Sequence, residues 1–284
     1  KQKYKIDVTQ CTLQRTSDLF EPELSGKQQS LPQLLLRQKS KPYDNQFLQI
    51  NSGKDAFVFF IPDKTQFINF LTLLGLNMKI VGTYGYPLRV SVLKSAWRFP
   101  NPIFRSIQYL RYNRSYENKG LFRLSGEQVE NKRVKSVFDS DTTAESVEFK
   151  DMNIAGCVLK DYLRSLDERI FPMRFNQRLL DAAKDEKTVF VDKVKTIVSE
   201  IPSINQSCLW YIFDFLNLVL KYKELNLMNE ENLAIVFVPN MFDFDMSNMF
   251  MNNSELTLYK TIFIKILDNY EEIFENVKKE NERI

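Results

Sequence analysis

From Leu209 to Leu220 the chain is apolar on nearly every face a helix can present, and only Asp214 and Asn217 interrupt the run. A helix with one apolar stripe lies on a core, whereas a helix that is apolar all round must be enclosed by other elements. The run therefore predicts a central helix, with further helices around it. It is too short for the ~20 apolar residues that a membrane-spanning helix needs.

The surrounding sequence supplies those helices. Pro100 and Pro102 lead into Ile103, Ile107 and Leu110, a short helix entered through prolines. Ile154, Val158, Leu159, Tyr162, Leu163 and Leu166 form one stripe. Glu230 to Val238 reads as a helix closed by Pro239. Tyr259, Ile262, Phe263, Ile266, Leu267, Tyr270, Ile273 and Phe274 recur at helical spacing before a polar tail. No repeat of 20–50 residues is visible. Residues 79–284 are predicted to form an all-helical bundle, so the fold class is mainly α.

Residues 1–78 have a different pattern. Tyr4 to Val8 and Gln46 to Ile50 alternate with the period of half-buried strands, and Ala56 to Ile61 reads as a more buried strand. Between them lies a polar stretch with Pro22, Gly26, Ser30 and Pro32, read as loop. After Pro62, the residues Phe67, Phe70, Leu71 and Leu74 share a helical face that Gly75 ends. Strands followed by one closing helix resemble, in pattern, the second half of a pleckstrin-homology domain. A plain β-rich extension of the helical domain accounts for the pattern as well. On the first reading the phosphoinositide-binding loop falls outside the chain, so at most a weak membrane association is expected from this region.

The chain contains no histidine, which excludes Ser-His-Asp hydrolysis, Cys-His proteolysis and His-ligated metal sites. Its three cysteines, Cys11, Cys157 and Cys208, are scattered and odd in number. They read as reduced thiols rather than a disulfide framework or zinc site. There is no GxxxxGK[ST] loop and no GxGxxG, so no nucleotide-binding site of the chain's own is expected, and no cofactor. The chain begins at Lys1, as a piece of a longer protein would, and nothing at its start resembles a signal peptide. It is expected to be cytoplasmic, with recruitment to membrane or cytoskeleton left open.

Residues 79–135 carry 12 Lys and Arg against 3 Asp and Glu, although the whole chain has a net charge of only +3. Charge of one sign gathered on one face steers an oppositely charged partner, and a solvated face accounts for it equally well.

Three stretches then occur in order. They are Gly120-Leu121-Phe122-Arg123-Leu124-Ser125-Gly126, Leu159-Lys160-Asp161-Tyr162-Leu163-Arg164-Ser165-Leu166, and the stretch from Asn226 and Met228 through Asn232-Leu233-Ala234 to Pro239. They resemble the G-[IL]-[FY]-R-x-S-G loop, the L-K-x-[YF]-L-R-x-L helix and the N-x-M-x-x-x-N-L-A-x-V-F-x-P segment of the Rho GTPase-activating protein family. Tyr84-Gly85-Tyr86-Pro87-Leu88 and Ile201-Pro202 are weaker matches, and the resemblance covers roughly residues 80–280.

The resemblance implies a RhoGAP-like helical bundle and activation in trans of a Rho-family small GTPase in its GTP-bound form. Arg123 is then the arginine finger. A guanidinium keeps its charge and has a planar fork, so it can compensate the charge that develops on the transferring phosphoryl group, an effect worth about 10³–10⁵ in rate. The resemblance further implies that Lys160 contacts the partner, that Arg164 braces the finger loop, and that Asn232 meets the partner or the finger segment. Pro239 would end its helix and shape the floor of the groove. Such a chain is a catalytic accessory without a self-contained active site.

Three positions depart from the family pattern. Leu166-Asp167-Glu168-Arg169-Ile170 stands in place of L-P-x-P-L, Val238 stands where glycine is usual and is expected to add bulk near the groove, and Asn153 stands where histidine is frequent. The alternative to an activator is a non-activating scaffold of the same fold that binds small GTPases or membrane lipids. Nucleic-acid binding is not expected, since the aromatic residues fall at core spacing and are not interleaved with the basic ones.

Overall fold

The computed structural model describes residues 12–15, 47–52, 55–61, 66, 69–70, 74, 79–93, 95, 99–140, 147–243 and 252–282. The chain separates into two compact units, Lys1–Gly82 and Thr83–Ile284.

The first unit holds strands β1 (Thr12–Arg15), β2 (Phe47–Ser52), β3 (Asp55–Phe60) and β4 (Lys79–Val81). They form one sheet in the order β3-β2-β1-β4. β1 and β2 pair antiparallel with Leu13 opposite Ile50, β2 and β3 pair antiparallel with Ile50 opposite Phe57, and β4 lies parallel to β1. β2 and β3 fall where alternation predicts strands. β4 lies beyond Met78, where the sequence shows only helical periodicity. Gln66, Asn69, Phe70 and Leu74 are helical, as the closing-helix pattern predicts. The predicted strand Tyr4 to Val8, Cys11, the polar stretch from Pro22 to Pro32, Phe67, Leu71 and Gly75 lie outside the described residues.

In the second unit the longer helices are α2 (Asn101–Tyr112), α3 (Gln128–Ser140), α4 (Met152–Ser165), α6 (Lys187–Glu200), α7 (Ser203–Lys221), α9 (Glu230–Met241) and α10 (Asn252–Asp268). Shorter ones are α1 (Leu88–Leu93), α5 (Asn176–Ala182), α8 (Lys223–Asn226), α11 (Tyr270–Ile273) and α12 (Glu275–Glu282). α7 contains the all-round apolar run, and it touches α1, α2, α6, α8, α10, α11 and α12. Its two polar interruptions are both satisfied. Asp214 pairs with Arg111 of α2 and accepts a 2.8 Å bond from the Tyr270 hydroxyl, and Asn217 donates to the Leu267 carbonyl at 3.4 Å. Burial of polar groups is tolerated on that condition. Among the described residues no helix is long and apolar enough to cross a membrane.

Three local features position the site. The Thr83 and Tyr84 amides donate to Asp139 at 2.5 and 3.3 Å, which ties the start of the unit to the end of α3. Asp151 caps α4 by accepting from the amides of Asn153 and Ile154 at 2.8 and 3.0 Å. At the other end of α4, Arg169 donates from Nη1 to the Arg164 carbonyl. A carbonyl at a helix C-terminus has no intrahelical donor, and a cationic side chain satisfies it. Arg169 thus terminates α4 at one of the positions where the family pattern has proline.

Two expectations are corrected. Pro239 does not close its helix: α9 runs on to Met241 with the proline inside. The ring leaves the Ile235 carbonyl without its helical donor, and Ile235 and Pro239 both lie on the exposed side of α9. Asn240 adds a side-chain bond of 2.7 Å to the Val236 carbonyl next to it. Val238 is fully buried, so its bulk enters the core and not a groove.

The cap on α4 gives a direct check. Asp151→Ala is expected to lower unfolding stability by about 1 kcal/mol in a urea titration; an unchanged midpoint would show that the cap carries no net energy.

Candidate functional site

A 3₁₀ turn at Ser115–Glu117 ends α2's connection and delivers the chain to Gly120. Gly120 has φ +75°, and its amide donates to the Asn226 carbonyl at 2.9 Å. Its own carbonyl then accepts from the Arg123 amide at 2.9 Å and the Leu124 amide at 3.2 Å, which closes a tight turn. Leu121 and Phe122 point into the core, while Arg123 and Leu124 are exposed. The turn sends its two apolar residues inward and its arginine outward.

Phe122 is the pivot. Its φ is +68°, and its ring packs edge-on against Phe237 at 4.9 Å and Phe215 at 6.1 Å. Gly156 of α4 lies directly beneath, and a Cβ there would come within 3.1 Å of the Phe122 ring. Gly126 closes the loop, with its amide donating to Cys157 Sγ at 3.2 Å. A Cβ at Gly126 would meet Ile154 Cδ1 at 2.6 Å and Ile154 N at 3.0 Å. The two glycines of the loop thus serve different ends: Gly120 supplies a left-handed backbone, and Gly126 allows close approach to α4.

Lys160 donates from Nζ to the Phe122 carbonyl at 2.5 Å. Burial pulls its ammonium below the usual lysine range; the charge on Arg164 acts the same way, and Cys157 and Asp161 oppose it. The brace on the Arg123 loop is therefore made by Lys160. Arg164 is exposed and pairs with Asp161, whose other oxygen accepts from Asn131 Nδ2 at 2.9 Å. The expected bonds from Arg164 to the loop backbone are not formed, because the Asp161 carboxylate one turn away claims its guanidinium.

Asn232 receives its cap from Asn229 Oδ1 at 2.9 Å, and its own amide donates to the Leu227 carbonyl at 3.0 Å. Pro239 lies two turns further along α9 and is exposed. Asn226, which sequence reasoning quoted without a role, connects the parts. It is fully buried, donates to the carbonyls of Tyr116 at 2.6 Å and Val219 at 2.8 Å, and accepts from the Met228 amide at 2.7 Å. Hydrogen bonds thus link Lys160, the Arg123 loop, Asn226 and Asn232. Arg164 and Pro239 lie on the same helices as Lys160 and Asn232 without joining that network.

Three arginines of the basic block are paired within the fold. Arg111 pairs with Asp214, Arg114 with Glu117 and Arg133 with Glu130. Among the described residues Lys119 and Arg123 are exposed and hold no carboxylate. Lys132 of α3 is likewise exposed and, among the described residues, pairs with no carboxylate, so the free charge is shared between the Arg123 loop and α3.

Residues 100–245 match the RhoGAP domain. The chain belongs to the RhoGAP family. It is 30% identical over 172 residues to the Rho GTPase-activating protein gacY of Dictyostelium discoideum, covering 60% of this chain and 24% of that protein. It is 32% identical over 137 residues to the human SLIT-ROBO Rho GTPase-activating protein 3, covering 46% of this chain and 12% of that one. It therefore spans about a quarter or less of these relatives. The RhoGAP fold is also that of human Rho GTPase activating protein 15, with a TM-score of 0.60 at 21% identity over 68% of this chain and 92% of that one.

The brace distinguishes the two cations of α4. Lys160→Met keeps the aliphatic stem but leaves the Phe122 carbonyl without its donor. The Arg123 amide is then expected to exchange with solvent about tenfold faster in native-state hydrogen exchange. Arg164→Ala should leave that rate unchanged, and equal effects from the two variants would refute the assignment.

Proposed function

We propose that this RhoGAP chain activates GTP hydrolysis by a Rho-family small GTPase, with Arg123 entering the partner's nucleotide site in trans. One observation carries the reading: an exposed arginine that pairs with no carboxylate among the described residues stands on a loop fixed from both sides. Lys160 holds the Phe122 carbonyl, Asn226 holds the Gly120 amide, and Phe122 is buried between them.

The chemistry follows from that arrangement. A small GTPase in its GTP-bound form brings the nucleotide and the attacking water, and what it lacks is compensation for charge developing in the transition state. Stabilisation by a preorganised group costs little reorganisation when the reaction occurs, so a rigid loop is worth more than a mobile side chain. Arg123 supplies the charge, and the loop beneath it supplies the preorganisation. Asn232, Ile235 and Pro239 line one side of α9 at spacings of three and four residues, and they form the adjoining contact surface. Arg164, paired on α4, contributes to the partner surface and not to the loop.

Single-turnover GTP hydrolysis by a panel of Rho-family GTPases tests the reading. The wild-type chain should accelerate at least one of them, and Arg123→Ala should lose about 10³-fold or more of that acceleration. Arg123→Lys should fail as well, because an ammonium lacks the planar fork. An Arg123→Ala variant as active as wild type would remove the finger assignment. A wild type inactive on the whole panel would leave the scaffold reading in its place.

A further inference from the structure

We propose that Leu227 is a specificity-determining contact of the finger site, an apolar side chain presented beside Arg123 to a nonpolar patch of the GTPase next to its nucleotide. The inference rests on the activator reading and deepens it.

Three described residues other than glycine have positive φ: Arg114 at 51°, Phe122 at 68° and Leu227 at 60°. The left-handed conformation crowds Cβ against the backbone and is avoided by branched and bulky side chains. In Phe122 the burial of an aromatic ring offsets that cost. Leu227 has no such return, since its side chain is 54% exposed. It ends α8, with its amide donating to the Lys223 carbonyl at 2.9 Å. That is a helix-end position where glycine or asparagine is the ordinary occupant. A strained backbone that carries an exposed apolar side chain is the kind of outlier found at ligand clamps.

The surroundings keep Leu227 in place. On one side Asn226 is anchored through its carboxamide, and its carbonyl accepts from Gly120, three residues before Arg123. On the other side Asn232 Nδ2 holds the Leu227 carbonyl. The turn and the finger loop are thus presented on one hydrogen-bonded frame. Leu124 on the finger loop and Ile235 one turn beyond Asn232 are also exposed, at 52% and 55%. Exposed apolar side chains thus stand on the cationic loop, at Leu124, and on the turn bonded to it, at Leu227, and this chemistry fits a surface on which apolar residues adjoin a polyphosphate.

The test uses substitutions that suit the left-handed backbone, so that folding and binding effects separate. Leu227→Asn and Leu227→Gly should melt no lower than wild type. With a GTPase that the wild type accelerates, both should raise KM about tenfold and leave kcat within about twofold, the signature of lost uniform binding. Leu227→Met should stay close to wild type, since it keeps the apolar surface. A wild-type KM in the Asn and Gly variants would overturn the proposal, and so would a fall in kcat at constant KM, which would make the turn a support for the finger. If the wild type accelerates no GTPase, the activator reading fails first and this contact falls with it.

Discussion

Phe122 has a backbone conformation that costs a residue with a side chain about 1–2 kcal/mol. Burial of its ring against Phe215 and Phe237 is worth about 1.5–3 kcal/mol, enough to offset that cost. The positive φ has a geometric result that a regular backbone would not give: Leu121 and Phe122 both enter the core, and the next residue leaves it. Much of the candidate site depends on that reversal. Gly156 makes room for the ring, Lys160 satisfies the carbonyl, and the Gly120 amide is tied to Asn226. Behind Phe215, Arg111 stands over the ring at 5.4 Å and is held by Asp214 of the central helix. The exposed arginine is thus connected through packed rings and paired charges to the centre of the bundle.

The cations of the finger region divide into structural and free ones, and the division comes from local geometry. Arg111, Arg114, Arg133 and Arg164 lie near carboxylates, three of them at i,i+3 spacing, and are neutralised in place. Lys160 is half-buried and turned to a carbonyl. Arg123 projects from a turn and, among the described residues, is paired with no carboxylate. A guanidinium already engaged at home would have to break that pair before serving a partner, so freedom from carboxylates matters as much as exposure.

The sequence makes the frame of this fold legible. A helix apolar on all faces had to be central, and α7 is. The stripe from Ile154 to Leu166 gives α4, and three ordered motifs locate the finger loop and its neighbours. The rest depends on distances that periodicity does not carry. Lys160 and Arg164 share a face four residues apart, and only the position of Asp161 and the Phe122 carbonyl decides which one braces the loop. Asn226 reads as one polar residue in a polar stretch, yet its carboxamide joins three segments. Pro239 reads as a stop because the ring lacks a donor, but it sits on the exposed side of α9 and the helix continues to Met241. Arg169 gives no sign in sequence that it terminates α4, since its partner is a backbone carbonyl.

On the proposed reading Arg123 acts on the transition state and contributes little to ground-state binding. Binding measured against a Rho-family GTPase loaded with GDP and aluminium fluoride, whose planar fluoride mimics the transferring phosphoryl group, tests this most directly. Arg123→Ala is expected to bind the non-hydrolysable GTP-analogue form about as well as wild type but to lose most of its affinity for the aluminium fluoride form. Equal affinity of wild type and Arg123→Ala for the aluminium fluoride form would contradict it.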